Sequence, residues 1–154
     1  MTKVKRLSGW RWSNVPIPEV YVVLVVVGIT VHLFLPLQLF PAAWIGHAAG
    51  WPVLAAGIFL AGWAVSTAAD LDIAKPTGII TSGPYRFSRN PMYLGWTLIS
   101  LGIGLILNSG WVVMLLLGAL IFTHLVTIPR EERSLERHFS QSYVAYKVRV
   151  RRWL

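Results

Sequence analysis

The chain contains no cysteine. That excludes disulfides, thiol nucleophiles and cysteine-ligated metals, and it leaves the redox compartment undetermined. Charge is scarce as well. Only 13% of the 154 residues are Asp, Glu, Lys or Arg, against about 25% in soluble domains. Acids are the scarcest, six against fourteen Lys and Arg. With histidine counted as neutral, residues 20–69 and 90–129 hold no charged side chain at all. A chain that is 55% hydrophobic and charged only in patches belongs in a membrane. The net charge of +8 is therefore not a nucleic-acid footprint. Such a binder shows a soluble core and a basic face, whereas these cations border apolar blocks, as membrane topology requires. Tandem repeats and low-complexity tracts are also lacking.

What charge there is falls in three zones: Lys3 to Arg11, Lys75 to Arg89, and Arg130 to Arg152. The acids Glu19, Asp70, Asp72, Glu131, Glu132 and Glu136 lie in or beside them. A membrane helix needs about 20 apolar residues, so each uncharged block is long enough for two helices and a turn. Two hairpins bring the chain back to its starting side, which the positive-inside rule makes cytoplasmic. The connectors on the other side, 36–50 and 108–110, carry no Lys or Arg. The pattern predicts one all-α domain over residues 1–154, a polytopic helical bundle in the membrane. It has about four spans, near 18–35, 52–68, 91–107 and 111–128, and a C-terminal cytoplasmic amphipathic helix. Both termini are expected in the cytoplasm.

Local features refine this outline. Trp10 and Trp12 among the first cations suit a juxtamembrane anchor, and the long apolar run that follows suits an uncleaved span better than a signal peptide. His32 reads as an interior hydrogen-bonded residue and His47 as solvated at the interface marked by Trp44 and Trp51. Gly57, Ala61 and Gly62, and later Gly95, Gly102 and Gly104, are small residues that let helices approach closely. Asp70 and Asp72 have no third ligand near them and read as solvated helix-end acids, so no metal site is expected. Lys75-Pro76-Thr77-Gly78 reads as a turn.

Two stretches stand apart. Thr81 to Gly95, TSGPYRFSRNPMYLG, concentrates turn dipeptides, cations and aromatics between apolar blocks. Pro84 and Pro91 bias the residues before them away from helix, and Pro91 suits a first helical position. The second stretch, 130–150, opens with Pro129 and two acids, as a helix N-terminus does. Leu135, Phe139, Tyr143, Tyr146 and Val150 then recur at helical spacing and form one apolar face. Carried backwards, that face reaches Glu131 and Glu132, which differ by about 100° around the helix. At least one carboxylate must point towards the protein, where it needs a partner. Arg86, Arg89 or a bound cation are the candidates. Arg149, Arg151, Arg152 and Trp153 read as a basic interfacial patch for anionic lipid.

Together, GPYRFSRNPMYLG at 83–95 and REERSLERHFSQSYVAYKVRVRRW at 130–153 resemble the isoprenylcysteine carboxyl methyltransferase and phospholipid methyltransferase group of integral-membrane enzymes. The resemblance covers about half of the chain, from Thr81 onward. It implies S-adenosylmethionine as cofactor and a site built from an Arg-His/Asn-Pro-x-Tyr segment and a Glu-Glu pair. These fall on Arg89, Asn90, Pro91 and Tyr93, and on Glu131 and Glu132. Asn90 stands where eukaryotic members commonly have His, and Ser140 where many members have Gly. The resemblance further implies a bacterial or archaeal cell membrane and a lipophilic acceptor, such as a prenylated thiol-acid carboxylate. The residues suit that cofactor: a Glu for its ammonium, Arg89 or Arg86 for its carboxylate, and Tyr85, Phe87 and Tyr93 for adenine or sulfonium. The expected binding set is Gly83, Tyr85, Arg86, Arg89, Asn90, Pro91, Tyr93, Leu94, His124, Glu131 and Glu132, with Arg89 and Glu132 in the catalytic role. Competing readings are lipid-amine N-methylation, with His124 or a Glu as base, and a non-catalytic membrane scaffold. A sterol reductase, which carries a similar C-terminal half, needs more spans than this length allows.

Overall fold

The computed structural model describes residues 18–68 and 78–154. The basic N-terminal segment with Trp10 and Trp12, the acids Asp70 and Asp72, and the turn residues Lys75, Pro76 and Thr77 lie outside them. The described residues form five helices and no strand: α1 (Glu19–Phe34), α2 (Ala43–Ala68), α3 (Pro91–Ile106), α4 (Gly110–Phe122) and α5 (Ile128–Arg149). A single 3-10 turn, Gly83–Arg86, interrupts the loop before α3. A π turn, Thr123–Thr127, joins α4 to α5 without a break.

Two helical stretches are long and apolar enough to cross a bilayer, Ala43–Ala68 and Gly110–Arg149. Helices α1 and α3 are apolar but have 16 residues each, about 24 Å of rise, short of the roughly 30 Å hydrocarbon core. Two boundaries differ from those expected. The second span does not begin at Pro52: α2 starts at Ala43 and carries Pro52 inside it. A proline within a helix forfeits one hydrogen bond. Here Gly46 and Gly50 ahead of it are already seated against α3, through Leu105, Ile106 and Gly102, so packing holds the first turns helical. Nor does a separate helix begin at Pro129. The π turn just before it widens the backbone where the ring of Pro129 would meet the preceding carbonyl, and the helix runs on.

The bundle is built on close contacts at glycine. The small residues of α2 face those of α3. A Cβ on Gly57 would stand 2.6 Å from Ile99 N, one on Gly95 2.8 Å from Ala61 N, and one on Gly102 2.7 Å from Leu54 N. In lipid, where apolar side chains gain little by leaving their surroundings, such contact supplies the attraction between helices. Two expected members of this seam lie elsewhere. Gly62 meets nothing within 4 Å, and Gly104 faces Val112 and Val113 of α4. Gly28 of α1 rests on Val112, and Tyr21 is buried with Leu116 and Ala119.

One end of the bundle is closed by Asn108, which sits at φ +50°. Its side-chain oxygen accepts from the amides of Leu39 and Phe40 at 3.0 and 2.8 Å, and its nitrogen donates to Phe40 O at 2.9 Å. The Trp111 indole donates to Leu35 O at 2.7 Å, and Ser109 caps α4 by accepting from Val112 N. The two connectors without Lys or Arg thus meet at this end, and the loop before α3 lies at the other. His32 accepts from Leu37 N at 3.4 Å, half-buried near the end of α1, and His47 is exposed.

The apolar face of α5 turns inward as its spacing predicts, with Tyr143 and Tyr146 buried and Leu135 and Phe139 half-buried. Within α5, Ser140 departs from helix at φ +41°, ψ −117°. That conformation favours glycine, the residue the resemblance places there.

Three outcomes follow for thermal unfolding in detergent. Gly102→Leu is expected to destabilise by about 1–3 kcal/mol through overpacking, whereas Gly62→Ala should be neutral or slightly stabilising, by up to about 1 kcal/mol. Ser140→Gly should raise stability by roughly 1 kcal/mol, the cost of a left-handed non-glycine residue.

Candidate active site

The loop before α3 gets its shape from its own turn residues. Gly83 adopts φ +55° and lies directly on the Thr67 side chain, where a Cβ would come within 2.5 Å of Thr67 Oγ1. Pro84 is buried in the 3-10 turn. Ser88 is buried, and its hydroxyl accepts from Asn90 N at 3.1 Å. Pro91 then starts α3 as its first residue. Asn90 occupies the N-cap but makes no side-chain cap; its amide instead donates to Arg152 O at 2.9 Å.

That bond belongs to a contact that the sequence does not announce. After α5 the chain turns back along the loop. Arg89 N donates to Arg151 O at 3.0 Å, Ser88 Oγ donates to Arg152 O at 3.4 Å, and Tyr146 OH donates to the carbonyl of Tyr85 at 2.8 Å. Residues 87–90 and 151–152 therefore lie side by side. The expected lipid-facing patch is divided: Arg149 and Arg151 stay exposed, while Arg152 folds inward. Backbone hydrogen bonds to the loop, which a count of cations does not reveal, fix which of these neighbours turns in.

At the centre of the junction lies the carboxylate of Glu132, 8% exposed. Arg89 Nη1 donates to Oε1 at 2.7 Å. Arg152 approaches from the other side, Nη2 to Oε2 at 2.7 Å and Nε to Oε1 at 3.2 Å. Arg89 is 10% exposed and Arg152 30%. The Nε–H of Arg89 is buried without an acceptor among the described residues. Buried donors are rarely left unpaired, so this N–H can serve an acceptor from outside the chain, with the Tyr143 side chain already beside the guanidinium.

The neighbouring carboxylate behaves differently. Glu131 keeps an exposed face and receives one hydrogen bond, from Tyr93 OH at 2.6 Å. The Tyr93 ring stacks on Tyr21 at 6.5 Å between centroids, and Tyr21 OH meets Thr97 Oγ1 at 3.2 Å, so α1 and α3 set the position of that donor. Removal from bulk water pushes the Glu131 carboxyl up; the charge of Glu132 adds to this, and the Tyr93 hydrogen bond opposes it. Tyr85 is pushed up to about 12, first by burial and then by the Glu131 charge. Burial also raises Tyr143 and Tyr146. These tyrosines stay protonated at neutral pH, and Tyr146 donates to Tyr85 O.

Of the expected residues, the structure gathers Arg89, Asn90, Tyr93, Glu131 and Glu132 at one junction, with Tyr85 close enough to feel the charge of Glu131. Others lie apart. Arg86 is exposed on the outer side of the 3-10 turn, and Phe87 is 64% exposed. His124 sits in the π turn, where it accepts from the Trp153 indole at 3.1 Å and stacks on it. Leu94 is half-buried one turn into α3 and contributes no polar group beyond its helix amide. Arg152 and Ser88 were not expected in the site. Nothing local separates Arg152 from Arg149 or Arg151, so no signal in the sequence marks it. Beside the junction, Gly78, Ile79 and Thr81 face Phe139, Ser142, Ala145, Tyr146 and Arg149 across an open cleft of about 550 Å³. Among the described residues no three His, Asp or Glu side chains are grouped to hold a metal.

Removing one partner from a buried ion pair strands the other. Glu132→Ala leaves two guanidiniums without their anion and is expected to destabilise the fold by about 3–5 kcal/mol. Chemical denaturation in detergent micelles checks it.

The arrangement pairs an open carboxylate with a buried, unsatisfied guanidinium N–H at one end of an apolar bundle. It suits a small molecule carrying both signs of charge. The family model for phospholipid methyltransferases matches residues 45–142, more than half of the 154 residues. No curated protein matches the chain. The match runs from α2 through the loop and past the kink of α5, and so takes in Arg89, Tyr93, Glu131 and Glu132 but stops short of Arg152. The chain belongs to the phospholipid methyltransferase family, within the group of integral-membrane methyltransferases that also holds the isoprenylcysteine carboxyl methyltransferases.

Proposed function

We propose that this integral-membrane methyltransferase uses S-adenosylmethionine and methylates a lipophilic acceptor at a carboxylate, as the isoprenylcysteine carboxyl methyltransferases do. The observation that carries the reading is the junction itself. Two stretches far apart in sequence bring a nine-tenths buried Arg89, paired with Glu132 but with its Nε–H unpaired, to the same end of the bundle as the Glu131–Tyr93 pair.

The residues fit that cofactor. Its α-carboxylate matches the unpaired Nε–H of Arg89, and its ammonium matches the open carboxylate of Glu131 through charge-assisted hydrogen bonds. Tyr93 supplies a ring face near Glu131. Beside Tyr146 an open cleft lies between residues 78–81 and α5. When bound, S-adenosylmethionine supplies an activated methyl group. The chain has to orient the partners and keep water out, since an acceptor that is already an anion needs no base. Glu132 serves this scheme as the anchor of Arg89 rather than as a free carboxylate. The polar cofactor enters from the cytoplasmic end and the acceptor from the bilayer, with α1 and α3 completing four spans and both termini cytoplasmic.

A second reading is N-methylation of a phospholipid amine. Two observations favour it: the description of the matching family, and the raised pKa of Glu131. An amine must shed a proton, and a carboxylate of raised pKa is better suited to take it. His124, the other candidate base, is engaged by Trp153.

Calorimetric binding of S-adenosylhomocysteine to the detergent-solubilised protein tests the shared part of both readings, and no binding by the wild type would sink them. Glu131→Gln should weaken binding roughly tenfold or more. A protonated carboxyl cannot pair with an ammonium, so wild-type affinity should fall as pH drops, beginning above the ordinary carboxylate range, and the variant should lack that fall. Methylation of a prenylated cysteine to a base-labile ester supports the first acceptor. Base-stable methyl on phosphatidylethanolamine vesicles supports the second.

A further inference from the structure

Glu132 presents two oxygens and meets two guanidiniums. Arg152 takes both oxygens, at 2.7 and 3.2 Å, while Arg89 holds only Oε1, through one nitrogen, Nη1. A carboxylate and a guanidinium left alone together prefer two parallel hydrogen bonds. In this cluster Arg152 takes the two-fold contact and Arg89 the single one. Separately, its Nε–H, on the opposite edge of the guanidinium from Nη1, has no acceptor among the described residues, although the side chain is only 10% exposed.

The charge points the same way. Arg89, Arg152 and Glu132 sum to one excess positive charge in a place with little water. The nearest other carboxylate, Glu131, is turned to Tyr93 and forms no ion pair with either arginine among the described residues. The cluster is short of one anion, and its unsatisfied N–H belongs to Arg89. Arg152 itself is set in place by backbone: its carbonyl accepts from Asn90 and Ser88, and Arg151 O accepts from Arg89 N.

We propose that Arg152 is a positioning residue, which by taking the two-fold contact with Glu132 keeps Arg89 from closing on that carboxylate and leaves it free to bind the carboxylate of the cofactor. The proposal rests on the methyltransferase reading. It assigns a role to a residue ten positions beyond the family match, which ends at 142. Without Arg152, Arg89 turns both nitrogens to Glu132 and loses its excess charge. The site then keeps its shape and its ammonium contact but not its grip on an anion.

The experiment compares two ligands on the full chain in detergent: S-adenosylhomocysteine, and its decarboxylated analogue, which keeps the ammonium and the nucleoside. Wild type should prefer the carboxylate-bearing ligand. Arg152→Ala is expected to weaken S-adenosylhomocysteine by about tenfold to a hundredfold, the range of a charged hydrogen bond, and to leave the analogue within about twofold. Arg152→Lys, which keeps the charge but not the fork, should recover part of the difference. Equal loss for both ligands would show a merely structural strap and overturn the proposal. No loss for either, or no wild-type preference between them, overturns it too. If Arg152→Ala does not fold, as judged by its thermal transition, Arg152→Lys decides alone: a partial loss confined to S-adenosylhomocysteine supports the proposal, and an unselective one removes it. A wild type that binds neither ligand refutes the methyltransferase reading itself, a failure distinct from wild-type binding with an unselective variant.

Discussion

A single buried carboxylate ties the functional end of this protein together. Glu132 opens α5, Arg89 ends the loop before α3, and Arg152 lies on the segment that returns after α5. Their shared ion cluster joins three parts of the chain, two of which also meet through the backbone bond from Arg89 N to Arg151 O. Taking charges out of water is costly, and a buried pair is no guarantee of stability. What it provides is register. A carboxylate with only two oxygens admits few arrangements of two guanidiniums, so loop, helix and returning segment have little freedom to slide against each other.

The two glutamates show how one helix turn separates a buried carboxylate from an open one. Adjacent residues differ by about 100° around the axis. That rotation buries Glu132 among arginines and leaves Glu131 at the surface of the junction, facing Tyr93. One carboxylate is neutralised and structural. The other is raised by removal from water and remains available. The bundle behind them is rigid for a different reason. Backbone lies on backbone at Gly57, Gly95 and Gly102, so α2 and α3 act as one slab from which the loop is hung. Asn108 closes the far end and keeps the short helices α1 and α3 in step with their longer neighbours.

Proline and glycine carried much of the local information, and tertiary contact overrode part of it. Pro91 and Gly83 sit where their dihedral preferences place them, at the first turn of α3 and at a positive φ. Pro52 and Pro129 do not end helices. The first lies in a helix held by glycine contacts, and the second follows a π turn that makes room for its ring. Ser140 keeps a backbone angle better suited to glycine, which is why its place in an otherwise regular helix reads as a kink.

The sequence by itself determined the helical class, the membrane setting and the two stretches that form the site. Each follows from spacing and composition over contiguous residues: uncharged blocks, an apolar face of period near 3.6, turn dipeptides beside cations. It also indicated that at least one carboxylate of the pair at 131–132 turns inward, since the apolar face of α5 carried backwards reaches both positions. Only the tertiary structure decided which one, and that Arg152 rather than Arg86 joins Arg89 around it. Three arginines close together near the C-terminus are chemically equivalent when read along the chain. The difference between them arises when residues 88–90 donate hydrogen bonds to the backbone carbonyls of residues 151 and 152, a long-range event with no local trace.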